Sequence, residues 1–234
     1  MPNRSSDILA NMIAKCQAKI LALTGWALVH DNPCRDRSIS LAQDGYFETF
    51  DYVRLAQLEL VCSHIKEFAV AGDCAELGVF RGYFAKKIHE FLPDKKLVLF
   101  DTFEGFDNRD LDVEKTVSAQ SAQDGFALTS SEAVLSLFKD PERIEIRKGY
   151  FPETAQSTDG PFCFVSLDAD LYKPTLEGLK FFYHRMSPGG IILVNDYNNS
   201  RYPAVAKAVH EFFPDGRNFI PVADKNGSVL ILKP

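Results

Sequence analysis

The sequence lacks most of the features that mark out specialised classes of protein. Its 234 residues contain no basic block, and the formal net charge is −6. Nucleic acid and anionic membranes are therefore not expected as partners. No apolar run approaches the ~20 residues needed to span a bilayer. The N-terminal stretch has no continuous apolar core of the signal-peptide kind, because Lys15 and Lys19 interrupt it, so a cytoplasmic location is expected. The five cysteines (Cys16, Cys34, Cys62, Cys74 and Cys163) form no C-x-x-C pair. They are expected to be buried free thiols, not zinc ligands or a disulfide framework. There is no internal repeat. There is also no G-x-G-x-x-G fingerprint, since Phe80 stands where its second glycine belongs.

A hydrophobic content of 46% and a charged content of 25% are those of a globular protein with a sizeable core. Strands alternate with helices from Ala71 onward. The apolar run after Cys74 turns through Gly78 and Gly82 into the helically spaced Phe84, Ile88, Phe91 and Leu92. Leu97–Phe100, Arg143–Ile146, Phe162–Leu167 and Ile191–Val194 are further strands. Tyr52–Phe68, Ser131–Phe138, Pro174–Met186 and Pro203–Phe213 are helices, and Phe219–Val222 with Ser228–Leu232 is a closing hairpin. Ser187-Pro188-Gly189-Gly190 signals a turn. A helix begins near Ile8, and His30–Asp44 is a polar connector. Asn108–Ser130, poor in branched apolar residues, is expected to be a mobile lid or a surface insertion. This order implies an α/β fold: a doubly wound, mostly parallel seven-stranded sheet with an antiparallel C-terminal hairpin and helices on both faces.

Polar residues collect at the strand ends, which lie on one rim of such a sheet. Glu76, Gly78 and Gly82 belong to the first strand–turn–helix. A helix starting there offers N–H groups to an anionic ligand, although an ordinary strand-to-helix turn would look the same. Asp101, about 20 residues on at the next strand tip, suits ribose hydroxyls. Asp168, Asn195 and Asp196 offer hard oxygen ligands from two neighbouring strand ends, a set suited to Mg²⁺. Helix capping is the other use of Asp170 or Asn195. Asp168 or Asp170 is the candidate general base.

Five blocks, GDCAELGVFRG, LFDTFEGF, KGYFPET, SLDADLYKPTLEGL and MSPGGIILVNDY, together with their order between Gly72 and Phe213, resemble the macrocin O-methyltransferase family. That family belongs to the class I S-adenosylmethionine-dependent methyltransferases. The resemblance implies a Rossmann-like methyltransferase domain over residues 51–234, with residues 1–50 as a helical extension or a cap on the acceptor side. It implies transfer of a methyl group to a hydroxyl of a sugar or natural-product diol. It also implies that Glu76, Gly78 and Gly82 line the methionine and ribose end of S-adenosylmethionine. Asp101 would hold the ribose, with Thr102, Phe103, Lys148 and Gly149 around the adenosine. A divalent metal such as Mg²⁺ would sit on Asp168, Asn195 and Asp196. The family usually has two aspartates where this chain has Asn195-Asp196. Partners are expected to be a small-molecule acceptor and, through the N-terminal helices, a second copy of the chain. A nicotinamide-dependent oxidoreductase and a non-catalytic cofactor-binding module are the competing readings.

Overall fold

The structure, a computed structural model, describes residues 38–40, 49–118 and 126–234. The helix expected near Ile8, Cys16, Cys34 and most of the polar connector lie outside the described residues. The described chain forms two units. One takes in residues up to Gln57 with Ala223–Lys225, and the other Leu58–Val222 with Asn226–Pro234. In the first, β1 (Ser38–Ser40) pairs antiparallel with β2 (Thr49–Asp51), Ile39 opposite Phe50. Helix α1 (Tyr52–Glu67) follows.

The second unit is built on β3 (Asp73–Leu77), β4 (Leu97–Asp101), β5 (Ile144–Lys148), β6 (Phe162–Leu167), β7 (Met186–Val194), β8 (Ile220–Pro221) and β9 (Val229–Leu232). Their order in the sheet is β5-β4-β3-β6-β7-β9-β8. The first five pair in parallel, and β9 joins β7 and β8 antiparallel. The expected doubly wound sheet with its antiparallel hairpin is therefore present. Every residue of β6 is buried, as a strand covered on both faces requires. The cover comes from α2 (Tyr83–Phe91), α3 (Asn108–Val117), α4 (Ser131–Leu135), α5 (Tyr172–Tyr183) and α6 (Ala204–Phe212). Helix α5 packs on α6 and on β6 and β7, α3 docks on α5, α2 lies against β4, and α4 lies against β5.

Two elements differ from the sequence expectation. The Pro-Gly-Gly signal does not end a connector. It lies inside β7, where the pairing jumps from Phe162↔Met186 to Phe164↔Ile191. Five residues thus face two, so the turn residues are absorbed as a bulge and Pro188 is left exposed. The stretch Asn108–Val117 is a helix, capped by the Asp107 side chain accepting from Arg109 N–H. Cys62, Cys74 and Cys163 are free and buried, as expected. No helix among the described residues is long and apolar enough to cross a membrane.

The core centres on Phe182 of α5, which is fully buried. Its ring meets Phe181 at 5.0 Å, Phe162 at 5.3 Å, and Phe100 and Phe151 at 5.8 Å. Phe182→Ala is expected to cost about 3–5 kcal/mol, the range for deleting a buried aromatic. The midpoint of urea unfolding measures it.

Candidate active site

Three backbone hydrogen bonds bring the strand ends level. Gly78 N–H donates to Phe100 O at 3.0 Å, Asp168 N–H to Leu77 O at 2.8 Å, and Asn195 N–H to Leu167 O at 2.8 Å. Gly78, Asp101, Asp168 and Asn195 therefore leave the sheet side by side. Gly149 N–H donates to Asp101 O at 2.9 Å, and Lys148 pairs with Asp101 in the ladder, which extends the rim to β5. Glu76 lies just below it, buried on β3 between Leu99 and Ser166.

The Asp101 carboxylate ties two rim loops together. Oδ2 accepts from Val79 N–H at 2.6 Å and Phe80 N–H at 2.8 Å, and Oδ1 accepts from Phe103 N–H at 2.6 Å. A carboxylate has about four acceptor directions, so roughly one remains for a ligand. The expected ribose role thus shares the group with a structural one. Thr102 Oγ1 donates to Gly105 O at 2.6 Å and shapes the same loop, while Lys148 pairs at 3.3 Å with Glu104 on the surface. The two turn glycines are constrained by packing. A Cβ on Gly78, at φ 86°, would lie 2.0 Å from Asp168 O, and one on Gly82 would lie 2.7 Å from Val134 Cγ1. Gly78 thus lets the first rim loop touch the loop after β6. Gly82 begins α2, which has neither a side-chain cap nor an acidic residue in its first turn. That helix end suits an anionic group.

Beyond Gly78 lies an acidic cluster. Asp168, Asp170 and Asp196 bring carboxylate oxygens within 4.8 Å of one another. Three hard oxygens at that spacing fit a divalent ion of the Mg²⁺ kind. Asn195, expected as an oxygen ligand, turns its amide nitrogen to the two carboxylates. Its Nδ2 donates to Asp168 Oδ1 and to Asp196 Oδ2, both at 2.8 Å, and its Oδ1 accepts from Ser228 Oγ at 3.1 Å. The amide turns its donors to the carboxylates because ionised carboxylates only accept, and Ser228 then donates to the amide oxygen. Asp170 stands in the cluster beside Asp168 and Asp196, and the N-cap of α5 is Leu171, whose side chain makes no capping bond. Asp196 Oδ1 also accepts from Asn199 Nδ2 at 2.5 Å.

Helix α3 is held over this rim by polar contacts. Asp110 and Glu114 are both buried. Tyr150 donates to Asp110 Oδ1 at 2.7 Å, and Lys173 lies 3.5 Å from it. Glu114 Oε2 accepts from Tyr172 N–H at 2.8 Å and so serves the first turn of α5. Lys207 donates to Val117 O. Asn108–Val117 is therefore an anchored helix and not a loose lid, and residues 119–125 lie outside the described residues. Past them, Thr129 Oγ1 donates to Phe80 O at 2.6 Å. Phe126 meets Phe80 at 5.1 Å and Phe106 at 5.2 Å, and Phe106 meets Tyr202 at 6.4 Å. These rings run from the glycine turn to the acidic cluster. Burial, then the charges of Asp170 and Asp196, pushes the Tyr202 hydroxyl up to about 12.

A family model for macrocin-O-methyltransferase (TylF) matches residues 45–220. The chain belongs to this family. Among curated relatives, it is 26% identical over 174 residues to an 8-demethyl-8-(2,3-dimethoxy-alpha-L-rhamnosyl)-tetracenomycin-C 4'-O-methyltransferase of Streptomyces olivaceus, covering 68% of this chain and 64% of that protein. It is 28% identical over 179 residues to a mycinamicin III 3''-O-methyltransferase of Micromonospora griseorubida, covering 68% and 67%. The chain thus spans about two thirds of the length of the curated relatives it matches. The structure of the O-methyltransferase NovP shares the fold, with a TM-score of 0.66 at 18% identity over 95% of this chain and 98% of that one.

The family match contains the whole rim except Ser228, which immediately precedes β9. Sequence reasoning missed Ser228, Asn199, Tyr202, Tyr150 and the α3 carboxylates. Only Asn199 carried a signal, as the last amide of the run Asn195-Asp196-Tyr197-Asn198-Asn199.

Burial raises the Asp110 carboxyl above its ordinary value of 3.8, outweighing the Tyr150 hydrogen bond and the Lys173 charge. Burial likewise raises Glu114. A carboxyl whose pKa is raised on folding favours the folded state while protonated, and that stability is lost as pH climbs through the folded pKa. Asp110→Asn keeps an acceptor for Tyr150 and removes the titration. Its stability relative to the parent is expected to rise with pH above 3.8, by about 1.4 kcal/mol for each pKa unit of displacement. Thermal unfolding at a series of pH values, corrected for the parent, measures it.

Proposed function

We propose that this chain is an S-adenosylmethionine-dependent O-methyltransferase acting on a hydroxyl of a glycosylated natural product. One observation carries this reading: the levelled strand ends put Asp101 and the Asp168–Asp170–Asp196 cluster on the same rim, next to the glycine turn. A nucleoside site and an acidic site so joined suit a donor and an acceptor that must meet. Family membership supports the chemistry, and the names of both curated relatives specify hydroxyls of sugar-bearing compounds. A nicotinamide enzyme would have no use for the second acidic site.

In this reading the glycine turn and the N-terminus of α2 receive the methionine end of the donor. The remaining acceptor direction of Asp101 takes a ribose hydroxyl, with Glu76 beneath and Thr102, Phe103, Lys148 and Gly149 on the adenosine side. The rings of Phe80, Phe106, Phe126 and Tyr202 keep water from the transfer region. Asp168, Asp170 and Asp196 would hold Mg²⁺, which supplies positive charge that makes a neighbouring hydroxyl more acidic. Asp168 or Asp170 beside it takes the hydroxyl proton as general base. Positioning of donor and acceptor does the rest.

Asp170→Asn is expected to lower turnover by about 10²–10⁴-fold, the usual weight of a general base, while S-adenosylhomocysteine binds as before. Chelation should abolish transfer, also without loss of that binding. Turnover that survives both would remove the acidic cluster from the chemistry. Asp101→Ala should weaken S-adenosylhomocysteine roughly ten- to a hundred-fold, since a charge-assisted hydrogen bond is lost. Calorimetry showing equal affinity would place the nucleoside elsewhere.

A further inference from the structure

The amide of Asn195 occupies a position that its own chemistry explains only in part. It is buried at 5% exposure, and Ser228 beside it at 0%. Both Nδ2 hydrogens go to carboxylates of different strands' loops, at 2.8 Å each. An amide has two such donors and no more, so its capacity is used up. Its orientation is fixed by its partners. Turning it over would set its oxygen against the oxygens of two carboxylates and lose the bond that Ser228 Oγ donates at 3.1 Å. Asn199 adds a second amide to Asp196, at 2.5 Å. Two of three clustered carboxylates therefore already receive amide hydrogens.

We propose that Asn195 stands in for the cation: its tethered amide holds Asp168 and Asp196 together when no metal is bound, and competes with the metal for them. The proposal rests on the cluster being a divalent-ion site. Carboxylates within a few ångströms of one another repel, and either donors or a cation must offset this. The amide offsets part of it permanently, so the rim is assembled before the ion arrives. The same bonds are bonds that an incoming ion must displace or share. Asn195 is thus a positioning residue that trades cation affinity for a site already in shape.

The sign of one change separates this from the alternatives. Asn195→Ala is made in the full chain, with Asn195→Leu, closer in volume, as the second variant should the first leave a cavity that prevents folding. Mg²⁺ binding is measured by calorimetry, and thermal unfolding is followed in chelator and in saturating Mg²⁺. We expect the unfolding midpoint to fall more in chelator than in Mg²⁺, and Mg²⁺ to bind the variant several-fold more tightly than the parent. An Asn195 that ligates the ion through Oδ1 gives the opposite result, weaker Mg²⁺ binding with the chelator midpoint unchanged, and overturns the proposal. Equal losses in both conditions with unchanged affinity mark a purely structural amide and overturn it as well. A parent that binds no Mg²⁺ at all refutes the divalent-ion reading itself, a failure distinct from both.

Discussion

The level ends of β3, β4, β6 and β7 are the constraint on which the rest of this site depends. Side chains alternate across a strand, so a one-residue slip sends each of them to the other face. Here a slip would also move an acidic residue off the rim. The register is the one that the three backbone bonds at the strand ends record. Gly78 carries the constraint out of the sheet. With a Cβ-sized gap closed by Asp168 O, the first rim loop and the loop after β6 are in contact by backbone alone. The glycine turn and the acidic cluster are thereby fixed to one another without any side chain between them.

Acidity is the second theme, and the chain handles it with donors more than with cations. Asp101 is met by three backbone N–H groups, Glu114 by the N–H of Tyr172, Asp110 by a tyrosine hydroxyl, and Asp168 and Asp196 by amides. A buried carboxylate without such partners is costly. With them it becomes a connector between elements that share no apolar seam. Helix α3 is held to α5 and to the loop after β5 in this way.

Much of the fold was legible because apolar runs and helical spacing follow directly from burial. Phe162–Leu167 was read to the residue, since a strand covered on both faces is simply apolar throughout. Where the sequence misled, a long-range partner decided. The Pro188-Gly189-Gly190 turn chemistry is real, but neighbouring ladders accept it as a bulge within β7. Helix α3 lacks an apolar stripe and is held by Tyr150, Tyr172, Lys173 and Lys207, none of them near it in sequence. The site residues gathered on the rim as their strand-end positions implied. The direction of the Asn195 amide was beyond reach, because it depends on the Asp168 carboxylate, 27 residues away.

Among the described residues, five non-glycine positions have positive φ, and four of them, Phe80, Phe103, Asp170 and Asp196, stand on the rim. Each such backbone costs about 1–3 kcal/mol relative to a relaxed one, and glycine would relieve most of it. Among the described residues, non-glycine backbone strain of this kind thus gathers on the rim. Selection for stability alone would drift these four positions toward glycine, and selection for turnover would hold their side chains in place. In a randomised library of this protein, the two pressures should be separable at four codons.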